Sequence, residues 1–122
     1  MNSYARQWMK KMRAYVADCW RTGAVPRVDE LAQRLGISRV TLTQKFRAAT
    51  GRSPGAAIHA MQLHRAMYLL RRTEQTTATI ARGAGYGSTR TFYRAFRRAL
   101  GISPSDYRRR YKNSSHRRLP PS

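Results

Sequence analysis

The sequence predicts an all-α fold of seven helices, arranged as two helix-turn-helix subdomains joined by a long central helix. Three observations carry this. One motif occurs twice: Leu31-Ala32, Gly36, Ser38, Thr41, Leu42, Phe46-Arg47, Gly51 and Ser53-Pro54 return as Ile80-Ala81, Gly85, Ser88, Thr91, Phe92, Phe96-Arg97, Gly101 and Ser103-Pro104. The offset between copies is 49 residues up to the central glycine and 50 after it, so the extra residue lies in Gly85-Tyr86-Gly87-Ser88, against Gly36-Ile37-Ser38. An insertion confined to a turn leaves its flanking helices intact, as a helix-turn-helix unit requires. Apolar residues also recur at the three-to-four spacing of helices that bury one face.

Taken in order, residues from about Tyr4 to Arg21 form the first helix, with Tyr4, Trp8, Met12, Tyr15-Val16 and Cys19-Trp20 on its apolar stripe. Thr22-Gly23-Ala24-Val25-Pro26 breaks it. A short helix from Val28 to Leu35 carries Asp29 and Glu30 in its first turn, where the helix dipole favours anions, and Gly36 ends it. Ser38 caps a third helix that runs to Thr50 and stops at Gly51, with Leu42 and Phe46 inward. Ser53-Pro54 opens the long central helix, to about Arg72, whose apolar positions are Ile58, Met61, Leu63, Met67 and Leu69-Leu70. The pattern then repeats: Thr77 to Ala84, a turn at Gly85-Tyr86-Gly87, and a sixth helix from Ser88 to Leu100 with Phe92, Phe96 and Leu100 inward. Ser103-Pro104 starts the last helix, to about Tyr111. The polar, basic, proline-ended tail, Asn113 to Ser122, is expected to be disordered. The domain organisation expected is thus one double helix-turn-helix domain over 1–112, followed by this tail.

Charge narrows the partner. The 122 residues hold 25 Lys+Arg against 5 Asp+Glu, a net charge of +20. No carboxylate lies between Leu31 and Thr73, or between Gln75 and Ser105, while Arg82, Arg90, Arg94, Arg97 and Arg98 crowd the second motif. Such self-repulsion opposes folding unless a polyanion offsets it. An ordinary solvated surface mixes both signs. No apolar run approaches the ~18 residues of a membrane span. The start of the chain, with Arg6 and Lys10-Lys11, lacks the apolar stretch of a secretory signal. A lone Cys19 excludes an internal disulfide and fits a reducing, bacterial cytoplasmic setting.

In a helix-turn-helix the second helix lies in the DNA major groove, and its N-terminal half meets base edges. The outward positions are Arg39, Val40, Thr43 and Gln44 in the first unit, and Thr89, Arg90, Tyr93 and Arg94 in the second. Arg90 and Arg94 suit guanine O6 and N7, Gln44 suits adenine N6 and N7, and Val40 with the Thr43 methyl suits a thymine methyl. Arg47, Arg97 and Arg98 are assigned to phosphates; Arg39 is placed with the base-contacting positions, with phosphate the stronger reading of its side chain. Ser38 and Ser88 are N-caps first; each can also donate its hydroxyl hydrogen to a phosphate if its oxygen accepts only inward. Tyr93 is taken as outward and phosphate-facing, unlike the other aromatic residues, which are core.

Other chemistry finds no support. His59 and His64 are five apart, the wrong spacing for a metal pair on a helix, and no cysteine pair is near. Gly83, Gly85 and Gly87 follow a helix and precede no lysine, so they form no phosphate-cradling loop; Gly85 serves a positive-φ turn. Neither a cofactor nor an enzymatic activity is expected.

Val28-Asp29-Glu30-Leu31-Ala32-Gln33-Arg34-Leu35-Gly36-Ile37-Ser38, with Leu42, Phe46, Gly51 and Ser53-Pro54, resembles the first helix-turn-helix of AraC/XylS-type transcription regulators. Ile80-Ala81, Gly85-Tyr86, Ser88, Phe92, Arg94, Phe96-Arg97, Gly101, Ser103-Pro104 and Tyr107-Arg108 resemble that family's C-terminal signature. The resemblance covers about Tyr15 to Tyr111 and, by size, points to stand-alone members of the MarA/SoxS kind or to an excised domain. It implies double-stranded DNA as partner, binding as a monomer to a non-palindromic site of about two turns, and regulation of transcription initiation, as an activator with RNA polymerase as a further partner. By position it supports Val40, Thr43, Gln44, Arg90, Thr91 and Arg94 as base-contacting residues. The chain departs from the pattern at Thr77, where isoleucine is usual, at Gly83 inside the fifth helix, and at Gln62, where arginine is common. The competing expectation is a nucleoid-type protein that coats DNA without regard to sequence, suggested by the charge alone.

Overall fold

The structure is a computed structural model and describes residues 2–112. Among these, seven α-helices follow one another with no strand: α1 Ser3–Thr22, α2 Val28–Arg34, α3 Arg39–Thr50, α4 Pro54–Arg72, α5 Thr77–Gly83, α6 Thr89–Leu100 and α7 Pro104–Tyr111. The expected all-α fold is the one observed, and its helix ends fall within a residue of those read from the sequence. The segment 113–122, expected to be disordered, lies outside the described residues. The chain divides into two compact units, Met1–Met61 and Gln62–Ser122, with α4 contributing to each.

The first unit is built on a core of Trp8, Met12, Tyr15, Val16 and Cys19 from α1, Leu31 and Ala32 from α2, Leu42 and Phe46 from α3, and Ala57 and Ile58 from α4. Trp8 meets Phe46 edge to face, with ring centroids 6.2 Å apart, which holds α1 against α3. The sequence places Tyr4 on the buried stripe, but Tyr4 is exposed and Ala5 is buried instead. In the first turn of α1 the stripe has drifted, and nothing large covers Tyr4. Helix α2 lacks a side-chain cap, because Arg27 stands at its N-cap. Tyr15 supplies the partner from α1: its hydroxyl accepts the Arg27 backbone N–H at 2.8 Å and donates to Glu30 Oε1 at 3.0 Å. Burial holds the Tyr15 phenol well above its ordinary pKa, so it stays protonated and able to donate.

The second unit packs Ala66, Met67, Leu69 and Leu70 of α4 against Ile80, Ala81, Ala84, Tyr86, Phe92, Phe96, Leu100 and Tyr107. Phe92, Phe96, Tyr107 and Tyr111 form a row of successive ring contacts, with centroids 5.7, 5.4 and 4.8 Å apart. Helix α7 is tied to the C-terminal end of α4. Arg71 Nη1 donates to the Tyr107 hydroxyl at 3.0 Å, both residues being buried. Arg108 donates to the carbonyls of Leu70 and Thr73, each at 3.0 Å, satisfying acceptors that a helix end leaves open.

Two details of this unit differ from a fully satisfied core. Gly83 is the last residue of α5 rather than an interior one. A Cβ there would meet only Leu69 Cδ1 at 3.8 Å, an ordinary contact. Gly83→Ala is therefore expected to raise stability by about 0.4–1 kcal/mol, by removing unfolded-state freedom, and urea denaturation checks it. The Tyr86 hydroxyl is buried with no hydrogen-bond partner among the described residues, while its ring sits 5.1 Å from that of Phe92. A buried hydroxyl without a partner costs about 1–3 kcal/mol on mutational evidence. Tyr86→Phe is accordingly expected to leave the denaturation midpoint unchanged or raise it. A fall of more than 1 kcal/mol would show that the hydroxyl makes a bond that stabilises the fold.

Candidate nucleic-acid interface

The two helix-turn-helix turns close alike. In the first, Gly36 N–H donates to Gln33 O and Ile37 N–H to Ala32 O, both at 3.1 Å. In the second, Gly85 N–H donates to Arg82 O at 3.0 Å and Tyr86 N–H to Ala81 O at 2.9 Å. Gly36 and Gly85 adopt φ of 71° and 84°, the left-handed conformation that this closure needs and that a side chain would strain. The bonds correspond one for one through Tyr86, so the extra residue of the second copy is Gly87, between the closed turn and the cap. The chain bends at Gly87, and Ser88 after it takes φ −157° against −74° at Ser38.

Ser38 and Ser88 cap α3 and α6 as expected, accepting the N–H of Thr41 at 3.0 Å and of Thr91 at 3.1 Å. Their hydroxyl hydrogens are not free, however. Each donates to the hydroxyl of the same threonine, Ser38 to Thr41 and Ser88 to Thr91, at 2.9 Å. The repeated threonine three residues after the serine is thus part of the cap, and the outward hydroxyl hydrogen belongs to Thr41 and Thr91.

Beyond the caps, Val40, Gln44 and Arg47 of α3 are exposed, with Val40 at 66% among the most exposed large apolar side chains. Thr43 is half-buried on the flank of the same face. Arg39 is exposed beside them, and its guanidinium meets Asp29 of α2 at 3.1 Å. That pair is more than half exposed on both sides, so it contributes about 0–1 kcal/mol and orients Arg39 without locking it. On α6, Arg90, Arg94 and Arg97 are exposed along one ridge, with Thr89, Thr91 and Arg98 beside it. None of the four arginines pairs with a carboxylate among the described residues. Tyr93, read from the sequence as outward, is half-buried and packs on the core beside Phe92, with its hydroxyl 3.4 Å from Ser105 Oγ of α7. The contact with Ser105 shows that α7 borders the flank of α6 where Tyr93 lies.

The structure adds a residue whose part in the site the sequence did not reveal. Gln62 of α4 is buried, and its Nε2 donates to the carbonyl of Gly85 at 2.8 Å. The central helix therefore holds the turn that aims α6. The available signal was a polar residue inside an apolar stripe, four residues before Ala66, since a buried polar group requires a partner. Gln62→Ala is expected to cost about 1–3 kcal/mol of stability, from an orphaned carbonyl and a cavity. It should weaken the contacts of α6 more than those of α3, which base-by-base binding interference reads separately. Among the described residues there is no cluster of metal-ligating side chains and no helix long and apolar enough to cross a membrane.

Duplicated helix-turn-helix units, each presenting a capped helix with exposed hydrogen-bonding or cationic side chains, define a DNA-binding domain of the tandem helix-turn-helix class. Residues 31–110 match the family model described as "Helix-turn-helix domain". The chain belongs to the AraC-type helix-turn-helix family of transcription regulators. It is 35% identical over 91 residues to a helix-turn-helix-type transcriptional regulator of Mycobacterium tuberculosis, covering 75% of this chain and 35% of that protein. It is 40% identical over 83 residues to the regulatory protein SoxS of Salmonella typhimurium, covering 68% of this chain and 78% of SoxS. Among solved structures, the DNA-binding domain of AdpA, a global transcriptional factor crystallised with a target DNA, superposes with a TM-score of 0.73 at 28% identity, covering 85% of this chain and 95% of that one. The chain spans about a third of the mycobacterial regulator but most of SoxS.

Proposed function

We propose that the chain regulates transcription initiation, as an activator, by binding one non-palindromic duplex site with α3 and α6 in successive major grooves. The observation that carries this is the pair of corresponding faces, Val40 and Gln44 on α3 and Arg90 and Arg94 on α6, exposed at the same places in two copies of one unit. The copies follow each other in one direction along the chain, so a single chain needs no dyad in its site. Base contacts are assigned to Val40, Thr43 and Gln44, and to Thr89, Arg90, Thr91 and Arg94. Phosphate contacts are assigned to Arg39, Arg47, Arg97 and Arg98, the Tyr93 hydroxyl, and the two capped N-termini at Ser38 and Ser88. RNA polymerase is the further partner that activation requires, and activation rests on family likeness.

The test is selection from a random duplex library at about 150 mM salt, where nonspecific attraction is partly screened. Two short enriched blocks about one helical turn apart support the bipartite reading. A single block would reduce α6 to a backbone clamp. The +20 charge favours a second reading, a sequence-indifferent DNA coat, and the absence of any enrichment would establish it over the first. Promoter transcription with purified polymerase checks the direction, and repression alone would refute activation.

A further inference from the structure

We infer that the outward face of α1 is a second binding surface for a duplex phosphate backbone, separate from the recognition helices. A chain seated on its site can then hold another DNA segment. Arg6, Lys10 and Arg13 are exposed and follow the i, i+4, i+7 spacing of one helix ridge. The face of α1 that carries Trp8 and Met12 is buried, and Trp8 packs on Phe46 of α3. The ridge lies on the other side of α1 from its contact with α3.

The ridge has no internal counter-charge among the described residues. The unit's three carboxylates are engaged elsewhere: Asp18 with Arg21 and Arg34, Asp29 with Arg39, and Glu30 with the Tyr15 hydroxyl. Its placement also works against the helix that carries it. Helix α1 has no acidic residue in its first turn. Cations near a helix N-terminus oppose the dipole, and like charges four residues apart repel. Nothing in the folding of the unit repays that arrangement, whereas an anionic partner does.

The spacing fits a nucleic-acid strand. Seven residues of helix rise about 10 Å at 1.5 Å each, so the ridge is long enough for its three cations to meet more than one phosphate of a strand.

The inference rests on the DNA-binding reading above, and the experiment separates the two. The full chain is bound to an immobilised duplex carrying the selected site, and occupancy is recorded. A fluorescent 30-base-pair duplex of scrambled sequence is then offered at low salt. The comparison is Arg6→Gln/Lys10→Gln/Arg13→Gln, whose three changes are on the surface; circular dichroism checks its fold. We expect the native chain to capture the second duplex with a steep salt dependence. The variant should capture at least five-fold less, while occupying the immobilised site within about two-fold of native. Capture that is absent in the native chain, or equal in the variant, overturns the second surface. A variant that loses occupancy of the first site by the same factor also overturns it, by placing α1 within the primary footprint. Failure of the native chain to occupy the immobilised site overturns the DNA-binding reading instead.

Discussion

Replacing Arg94 by alanine is expected to lower affinity for the selected site by about 5- to 150-fold, corresponding to about 1–3 kcal/mol, with the loss concentrated at one or two adjacent base pairs. The expectation follows from where Arg94 stands. It is exposed, lies beyond the Ser88 cap on the ridge with Arg90 and Arg97, and has no carboxylate partner among the described residues to compete for its guanidinium. A fork-shaped cation in that place matches guanine O6 and N7. Binding to a panel of single-base variants of the site, at two salt concentrations, makes the distinction. A base-contacting Arg94 leaves the mutant indifferent to the base it read and lowers the salt slope by no more than about one. Uniform weakening on every sequence, with the base preferences unchanged, would mean that Arg94 touches only phosphate.

Phe96→Ala is expected to destabilise the chain by about 3–5 kcal/mol and to abolish the contribution of α6 to binding. Phe96 is fully buried and stands between Phe92, at 5.7 Å, and Tyr107, at 5.4 Å, so its removal breaks the ring row at its centre. The second unit is small, and a cavity of that size removes a large part of what holds α6 against α4 and α7. Both tryptophans, Trp8 and Trp20, belong to the first unit. Urea unfolding followed by tryptophan fluorescence and by far-ultraviolet circular dichroism therefore reports the first unit and the whole chain separately. The largest shift should fall in the dichroism signal. A loss below 1 kcal/mol would show that the site collapses around the missing ring.

Much of this architecture is legible in the sequence because it rests on local chemistry. The caps at Ser38, Ser88 and Ser103, the stops at Gly51 and Gly101, and the stripes of α3 and α6 follow from residue type and helical period. The structure adds to or departs from the residue pattern where a side chain's surroundings come from another element. Tyr4 has helical spacing but no cover. Arg39 is outward as its numbering implies, and the structure adds a partner, Asp29 of α2. Tyr93 lies on the flank of its helix, and whether that flank is wet depends on α7. Ser38 and Ser88 cap their helices as their residue type implies, but the hydroxyl hydrogen that the sequence leaves free for a phosphate goes to a threonine one turn on.

By itself the sequence determined the class of the protein. A motif duplicated with its one insertion in a turn, on a chain of net charge +20, specifies two helix-turn-helix units and an anionic partner, because periodicity, capping and charge are properties of residues close along the chain. Only the tertiary structure decided which side chains hold those units in working order. Tyr15 anchors α2 from 12 residues away, Gln62 grips the Gly85 carbonyl from 23, and Arg108 closes the end of α4 from 38. A buried polar group takes whichever partner folding brings to it, and separation along the chain does not specify that partner.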